Sequence, residues 1–517
     1  MPQSRFLLIV FLECCILSAS AQEQADSPIY KSYRAPSPSS LLRRSDADYN
    51  VIQIFILERR ANSGEAGAQQ ELGLRYLLGE GVKADTAKGA FWIGRAAAQD
   101  YPDARYNYGI LLFNGWGVPW NPFEAYANFR VAAERDMSEA QYILSMLLTE
   151  NLVVNRNWEE AYQWARKAAA SGHKPAQEAV ADFEARGLGV PRETREGQRD
   201  TTSQRKAASV KHAVGFVFMD SDTVAQDDAT LLKDALRNPS PQLRRALGLP
   251  KRGNIRLDTD SIGMKAISDA AEEGSPEALT IMGRNYEKGI GVQKDVVLAS
   301  LYYVRAIRMS SPRAPGLLQR MLEQENAIAH LRSQVEQGNP DAQFVWAALA
   351  ALRLDYMLAK EHGFVTEKQA LVLLEKAAGA DHMQATIELG LCYYAGRWVV
   401  EDRNRATELW KRAALMGSRE AKTRLAALEV QTKADPMKVE EAIKDLDAAA
   451  QAGSVLAQVA LGYCFETGSG VVASSSEAAR IYRAAAQRGS QDAYYALKRM
   501  HDQIRPPKKE FQISQFD

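Results

Sequence analysis

The amino-acid sequence predicts an all-α fold, a right-handed α-solenoid of antiparallel helix pairs. Two runs of alanines are spaced at 36 residues, and they are Ala68, Ala104, Ala140 and Ala176 followed by Ala385, Ala421, Ala457 and Ala493. A glycine recurs five residues after such an alanine, at Gly73, Gly109, Gly283, Gly390 and Gly462. A Gly-x-Gly-Val loop then recurs, as at Gly79 to Val82. Units that stack only on their neighbours suit a 517-residue chain, since one core of that size is unusual.

Each repeat predicts two short helices. The segment from the alanine to the loop has apolar residues at helical spacing, and its small residues allow a neighbouring helix to approach closely. Glycine in the loop favours a left-handed helix end. The Asp or Asn three residues after the loop valine predicts an N-cap, as at Asp85, Asn121, Asn157 and Asp295. A large side chain in the second helix predicts a core position, as at Trp92, Trp164, Trp410 and Tyr482.

This pattern resembles the SEL-one-like repeat, a 36-residue relative of the tetratricopeptide repeat, in its secreted bacterial form. Ala68 to Ala104 is the clearest copy, and the resemblance covers roughly 64–190 and 268–500. It implies a scaffold whose surface binds proteins or peptides.

The first 21 residues predict a secretory signal peptide. Arg5 precedes an apolar run from Phe6 to Leu12, and Ala19-Ser20-Ala21 has the small residues of a cleavage site. Cys15 leaves a lipoprotein open as the less favoured alternative. We therefore expect a secreted or periplasmic protein, with an outer-membrane lipoprotein less favoured and no transmembrane span in the mature chain.

The rest of the chain divides into five predicted segments. Residues 22–48 are rich in Pro and Ser and predict a flexible tether. A capping helix and the first repeat array occupy 49–190, and 191–265 is a degenerate repeat or a linker. The second array occupies 266–500 and contains a 43-residue unit between Ala342 and Ala385. Residues 501–517 form a predicted tail.

The mature chain would keep two cysteines, Cys392 and Cys464, at the same position two repeats apart. Helices pack about 8–10 Å apart, so equivalent positions two repeats apart lie beyond the ~7 Å Cα separation that a disulfide tolerates. The sequence therefore predicts two unpaired, packed thiols.

Charge and motifs argue against several functions. Lys+Arg and Asp+Glu both number 64, so no overall field favours nucleic acid. The six histidines lack zinc spacing, and His173 and His382 are expected at exposed turns. Asp220-x-Asp222 resembles the start of a calcium loop, but the later ligand positions do not match. We expect no catalytic residue, no metal and no cofactor.

Residues that depart from the repeat are the better candidates for partner binding. Trp116 and Trp120 flank one loop, and Trp398 replaces the second glycine of another. Exposed tryptophan is frequent at interface anchors, but packing against an adjacent repeat is an equally physical explanation.

Three functions remain after this reading. A protein-interaction scaffold in the periplasm or outside the cell is favoured, because repeats abound and no catalytic motif is found. The alternatives are a cell-envelope or β-lactam-related hydrolase and a lipid-anchored structural protein of the envelope. Some related secreted proteins with penicillin binding carry a disulfide in most repeats, which two mature cysteines do not allow.

Overall fold

The computed structural model describes residues 42–43, 53–191, 261–324, 326–352, 354, 365–432 and 435–513. In these ranges every regular element is an α-helix, apart from one 3-10 turn at Lys509–Phe511. The all-α class and the helix-pair repeat are thus confirmed. The signal peptide, the segment 192–260 and the Asp220-x-Asp222 motif lie outside the described residues.

The described residues form two compact units. The N-terminal unit contains 42–43 and 53–191 together with 474–480 and 495–513. Its helices are α1 (Ile54–Asn62), α2 (Ala66–Leu78), α3 (Thr86–Ala97), α4 (Pro102–Asn114), α5 (Pro122–Glu134), α6 (Ser138–Glu150), α7 (Trp158–Ala170) and α8 (Lys174–Arg186).

The C-terminal unit contains the described residues of 261–473 and 481–494. Its helices are α9 (Ser261–Glu272), α10 (Pro276–Lys288), α11 (Val296–Arg308), α12 (Ala314–Leu322), α13 (Ala327–Glu336), α14 (Pro340–Ala351), α15 (Glu367–Gly379), α16 (Met383–Ala395), α17 (Arg403–Leu415), α18 (Arg419–Thr432), α19 (Pro436–Gln451) and α20 (Val455–Thr467). The last two helices, α21 (Ser475–Gln487) and α22 (Gln491–Ile504), contribute residues to both units.

The repeat residues have the roles that their chemistry predicts. All eight alanines of the two runs are 0% exposed, which places them at the contact between helices. The first loop glycine ends its helix in the left-handed conformation, with φ of 73° at Gly79 and 67° at Gly115. The predicted N-caps accept backbone hydrogen bonds, as Asp85 does from the Lys88 amide at 3.0 Å.

The glycine five residues after the alanine has a more specific function than sequence reasoning assigned. A Cβ at Gly109 would lie 2.6 Å from the Phe129 ring, and one at Gly283 would lie 2.7 Å from Tyr303. In the pairs that contain this glycine, the second helix therefore places one large side chain directly on the backbone of the first.

In two repeats, the residue predicted to occupy the core lies one position before the residue that does so. Trp410 and Tyr482 are buried on Gly390 and Gly462, as expected, but the residue on Gly73 is Ile93. Trp92 and Trp164 are only half-buried, because they lie one position before the core site of their helices.

Both mature cysteines are free and buried, as predicted. Burial raises the pKa of the Cys392 thiol to about 11. Both residues belong to the C-terminal unit.

The segment assigned to a tail begins inside α22, which runs to Ile504. In the N-terminal unit Phe511 is buried, with its ring edge-on to Phe123 at 5.4 Å. Arg505 donates to the Leu152 carbonyl at 2.7 Å. Residues up to 511 are thus part of the packed unit, because the late aromatic and the arginine both find partners on the repeats.

Candidate functional site

A polar site lies on the first helices of two successive pairs in the N-terminal unit. Asp103 and Asn107 are one turn apart on α4, so both side chains lie on one face. Glu139 occupies the position of Asp103 in the next repeat, in the first turn of α6. A carboxylate in a first helical turn is stabilised by the helix dipole. We name these three residues the arginine clamp.

Asn107 holds the backbone of Arg43. The Arg43 amide donates to Asn107 Oδ1 at 2.7 Å, and Asn107 Nδ2 donates to the Arg43 carbonyl at 2.8 Å. Both atoms of the side-chain amide are thereby used in a single pairing with one residue. Asn107 is 0% exposed, so its polar atoms need these partners.

The two carboxylates of the clamp hold the Arg43 side chain. Its Nε lies 2.7 Å from Asp103 Oδ1, and Nη1 lies 3.1 Å from each carboxylate oxygen of Glu139. The Arg43 side chain is 43% exposed, so these ion pairs are partly screened by water. The guanidinium is therefore held at the edge of the site, while the backbone is held at its buried centre.

Electrostatics around the clamp favour a cation. Burial raises the pKa of Glu139, but hydrogen bonds from its own amide and from Ser138, together with the Arg43 charge, outweigh burial and lower it. Burial, with the nearby Glu139 charge, raises the pKa of Tyr106 to about 12. At neutral pH the site thus presents the charged Glu139 carboxylate beside the neutral Tyr106 phenol.

Leu42 supplies an apolar anchor next to the clamped arginine. It is buried and belongs to the hydrophobic cluster of the N-terminal unit. An apolar side chain and an arginine are therefore held at consecutive positions of one segment.

The C-terminal unit has three residues at the same repeat positions. Asp103 lies one residue before Ala104, and Gln384 lies one residue before Ala385 on α16. Asn107 lies three residues after Ala104, and Glu388 lies three residues after Ala385. Glu139 lies one before Ala140, as Glu420 does before Ala421 on α18. We name Gln384, Glu388 and Glu420 the buried arginine cluster, because Arg308 lies between them.

Arg308 is the last residue of α11 and is bound on all three sides. Its Nη1 lies 3.1 Å from Glu388, and its Nη2 lies 2.5 Å from Gln384 and 2.7 Å from Glu420. Its side chain is only 7% exposed. Burial raises the pKa of Glu388, but Arg397 and Arg308 outweigh burial and lower it.

The predicted tryptophans lie elsewhere. Trp116 is half-buried against the core of the N-terminal unit, and the Trp120 ring is edge-on to His501 at 5.2 Å. Trp120 also lines a cavity of about 350 Å³ with Pro119 and Ser474 to Ser476. In the C-terminal unit, Trp398 stands beside Arg397, whose guanidinium is 5.1 Å from its ring centre. Partner binding by these three residues stays a prediction.

Trp398 has an unusual backbone. Its φ is 65°, the conformation that glycine adopts at the second loop position of other repeats, such as Gly81 and Gly117. A bulky residue in this conformation is strained by about 1–3 kcal/mol.

Two histidines that we expected at exposed turns are helix caps. His173 accepts from the Ala176 amide at 3.3 Å, and His382 accepts from the Ala385 amide at 3.0 Å. The other ring nitrogen of His382 lies 2.8 Å from Asp341. Among the described residues no cluster of His, Cys, Asp and Glu is placed to hold a metal ion, and no helix has the length and apolar character to cross a membrane.

Sequence reasoning missed the arginine clamp, although its signal was present. Acidic residues recur one position before the repeat alanine, at Asp103, Glu139, Glu277, Asp341, Glu420 and Asp492. Asn107 is a polar residue at a position where some other repeats have apolar ones, such as Ile143 and Ile281. The contact with Arg43 could not be predicted from the sequence, because Arg43 lies outside the repeats and has no periodic relation to them.

Comparisons with known proteins agree with these helix pairs. Residues 66–101, 102–137, 138–173, 276–311, 384–418 and 455–490 match the family model described as Sel1 repeat. The chain is similar to the crystal structure of c5321, a protective antigen present in uropathogenic Escherichia coli strains displaying an SLR fold. That match has 24% identity and a TM-score of 0.28, and it covers 86% of this chain and 84% of that chain.

A second similar structure is a Sel1 repeat protein from Oxalobacter formigenes, with 29% identity and a TM-score of 0.24. It covers 25% of this chain and 97% of that chain. Both TM-scores are too low to carry an argument about function, and no curated protein matches the chain. The chain therefore contains six Sel1 repeats, and each matched segment coincides with a helix pair.

Proposed function

We propose that this chain is a non-enzymatic protein-interaction scaffold that binds partner proteins through extended peptide segments at the arginine clamp. The observation that carries the proposal is the double hydrogen bond between the fully buried Asn107 and the Arg43 backbone. A side-chain amide that pairs with both backbone groups of one residue recognises an extended chain whatever its sequence. Sel1 repeats supply the rigid helices that hold Asp103, Asn107 and Glu139 in place.

We also propose that the scaffold works in the periplasm or outside the cell. The support is the signal-like sequence of Arg5, the apolar run after it and Ala19-Ser20-Ala21. Mapping the mature N-terminus of the protein from its native host tests this location. A new terminus at Gln22 is expected, and an intact terminus in a cytoplasmic fraction contradicts it.

The test of function is a peptide-display selection on the full chain, with counter-screening on Asn107→Ala. We expect selected peptides to bind the unmodified protein and to lose at least about tenfold in affinity for Asn107→Ala, which is ~1.4 kcal/mol. Asn114→Ala is the matched control, because Asn114 lies on the same helix and bonds only the Ile110 carbonyl.

Two results contradict the proposal. One is a selection that yields no peptide. The other is a set of peptides that binds the Asn107→Ala variant as well as it binds the Asn114→Ala control.

A further inference from the structure

We infer that the arginine clamp selects an apolar residue followed by arginine, and that Leu42 and Arg43 are an intramolecular occupant which a partner peptide must displace. This inference rests on the proposed function and adds two things to it, the chemical class of the ligand and the regulation of the site. The occupant is present in the structure, so the ligand class can be taken from its contacts.

The clamp selects arginine over lysine because it engages two different nitrogens of one planar group. Nε contacts Asp103 while Nη1 contacts Glu139, and the two carboxylates come from different helices. A lysine ammonium is a single point charge and cannot make both contacts in this geometry.

Asn107 fixes the register of the bound segment. Its Oδ1 accepts from the amide of the arginine, so a proline at that position would lack the donor. The preceding Leu42 is buried in the hydrophobic cluster of the unit. A ligand therefore needs an apolar side chain, then an arginine with a free backbone amide.

The C-terminal unit provides independent support for arginine as the ligand. The same three repeat positions there contain Gln384, Glu388 and Glu420, and they also surround an arginine. Each unit thus uses the same set of repeat positions to bind a guanidinium. The repeat can therefore bring polar side chains at these three positions around one arginine.

Exposure separates an exchangeable occupant from a permanent one. Arg308 is 7% exposed and is fixed at the end of a helix, whereas Arg43 is 43% exposed. Ion pairs of partly exposed groups are weak and sensitive to salt. Breaking the ion pairs of Arg43 therefore costs little free energy, and a competing peptide regains that free energy by making the same contacts.

The test uses the full chain and a fluorescein-labelled peptide with the sequence of residues 38–48, measured by fluorescence anisotropy. The double variant Leu42→Ala/Arg43→Ala removes the intramolecular occupant and leaves the clamp intact. A tethered segment acts at an effective concentration on the order of millimolar, so it competes strongly with an added peptide. We expect the double variant to bind the peptide at least about tenfold more tightly than the unmodified protein does.

Three companions make the result specific. Adding Asn107→Ala to the double variant should abolish binding. A peptide with lysine in place of the clamped arginine, or with that arginine N-methylated on its backbone, should bind at least about tenfold more weakly. Arg44→Ala is the matched control and should bind as the unmodified protein does. Circular dichroism establishes that each variant is folded.

The outcomes separate the two proposals. Equal affinity for the unmodified protein and the double variant overturns the intramolecular occupant and leaves peptide binding at the clamp intact. Loss of the preference for arginine over lysine overturns the ligand class. Absence of binding to the folded double variant, or binding that survives Asn107→Ala, overturns the proposed function as well.

Discussion

The arginine clamp and the buried arginine cluster occupy the same three repeat positions but bind different groups. The clamp binds the segment that contains Arg43, whereas the cluster binds Arg308, a buried residue at the end of a helix. In the C-terminal unit, Glu388 binds the side chain of Arg308, which is fixed at the end of α11. In the N-terminal unit, Asn107 at the equivalent position binds the backbone of Arg43. The two sites differ at two positions, Asp103 against Gln384 and Asn107 against Glu388, and the amide of Asn107 is the group that contacts peptide backbone.

The comparison also shows where the repeat allows variation. Buried alanines, and glycines in contact with a large side chain of the paired helix, occur in both units. Residues one before and three after the alanine differ between the units, as Asp103 and Asn107 do from Gln384 and Glu388. The repeat thus separates the scaffold from the specificity of its surface.

The largest expected effect comes from removing the permanent arginine. Arg308→Met leaves Glu388 and Glu420 buried without their common partner, which should cost about 3–5 kcal/mol of stability. The urea midpoint of the full chain measures it. We expect the loss to shrink as the pH falls from 7 towards about 4, because Glu388 and Glu420, each left with one arginine (Arg397 and Arg424) in place of two, can then bind protons more readily.

An unchanged urea midpoint for Arg308→Met would show that Arg308 contributes no more to stability than Arg43 does. Arg405→Met in the same unit is a comparison variant of equal size, because its ion pair with Glu408 joins two largely exposed side chains. We expect it to behave almost as the unmodified protein does.

The scaffold should respond equally in both units. Gly109→Ala and Gly283→Ala each place a Cβ within 2.6 or 2.7 Å of an aromatic ring of the paired helix. Overpacking of this kind costs about 1–3 kcal/mol. Similar shifts of the urea midpoint are expected, and a large difference between the two would contradict a shared scaffold. Gly379→Ala is the control, because a Cβ there meets no atom within 4 Å.

Asp492 is an acid at the clamp position whose burial is not offset by the nearby arginine. It precedes Ala493, and burial raises its pKa to about 6, with Arg424 opposing the shift. A raised pKa means that the folded state binds the proton more tightly, so stability is highest below about pH 4 and falls as the pH rises through about 6. Asp492→Asn should therefore stabilise the protein at pH 7 by about 1–2 kcal/mol, allowing for partial exposure.

The pH dependence is the check on Asp492. Denaturation curves of the variant and the unmodified protein should converge below about pH 4. A stabilisation that is independent of pH would show that burial of the charge is not its cause.

The smallest effect on stability is expected at the exchangeable arginine. Arg43→Ala removes a partly exposed side chain, whose ion pairs contribute about 0–1 kcal/mol. Its urea midpoint should stay close to that of the unmodified protein. A loss as large as that of Arg308→Met would make Arg43 a structural residue rather than a displaceable one.

The sequence predicted the scaffold well and the candidate site poorly. Helix pairs, left-handed glycines such as Gly79, N-caps such as Asp85 and the free Cys392 follow from local chemistry that recurs in phase. The core register failed at Trp92, because an aromatic beside the core position was taken for the core residue. The clamp could not be predicted, since the pairing of Asn107 with Arg43 joins residues that no periodicity relates.

The most direct test of the central claim is the hydrogen exchange rate of the Arg43 backbone amide in the full chain. If Asn107 holds that amide, its exchange is slowed in the unmodified protein. Slow exchange is lost in Asn107→Ala, retained in Asn114→Ala, and lost again when excess peptide of residues 38–48 displaces the segment. An Arg43 amide that exchanges at the rate of an unstructured peptide in the unmodified protein would contradict the account.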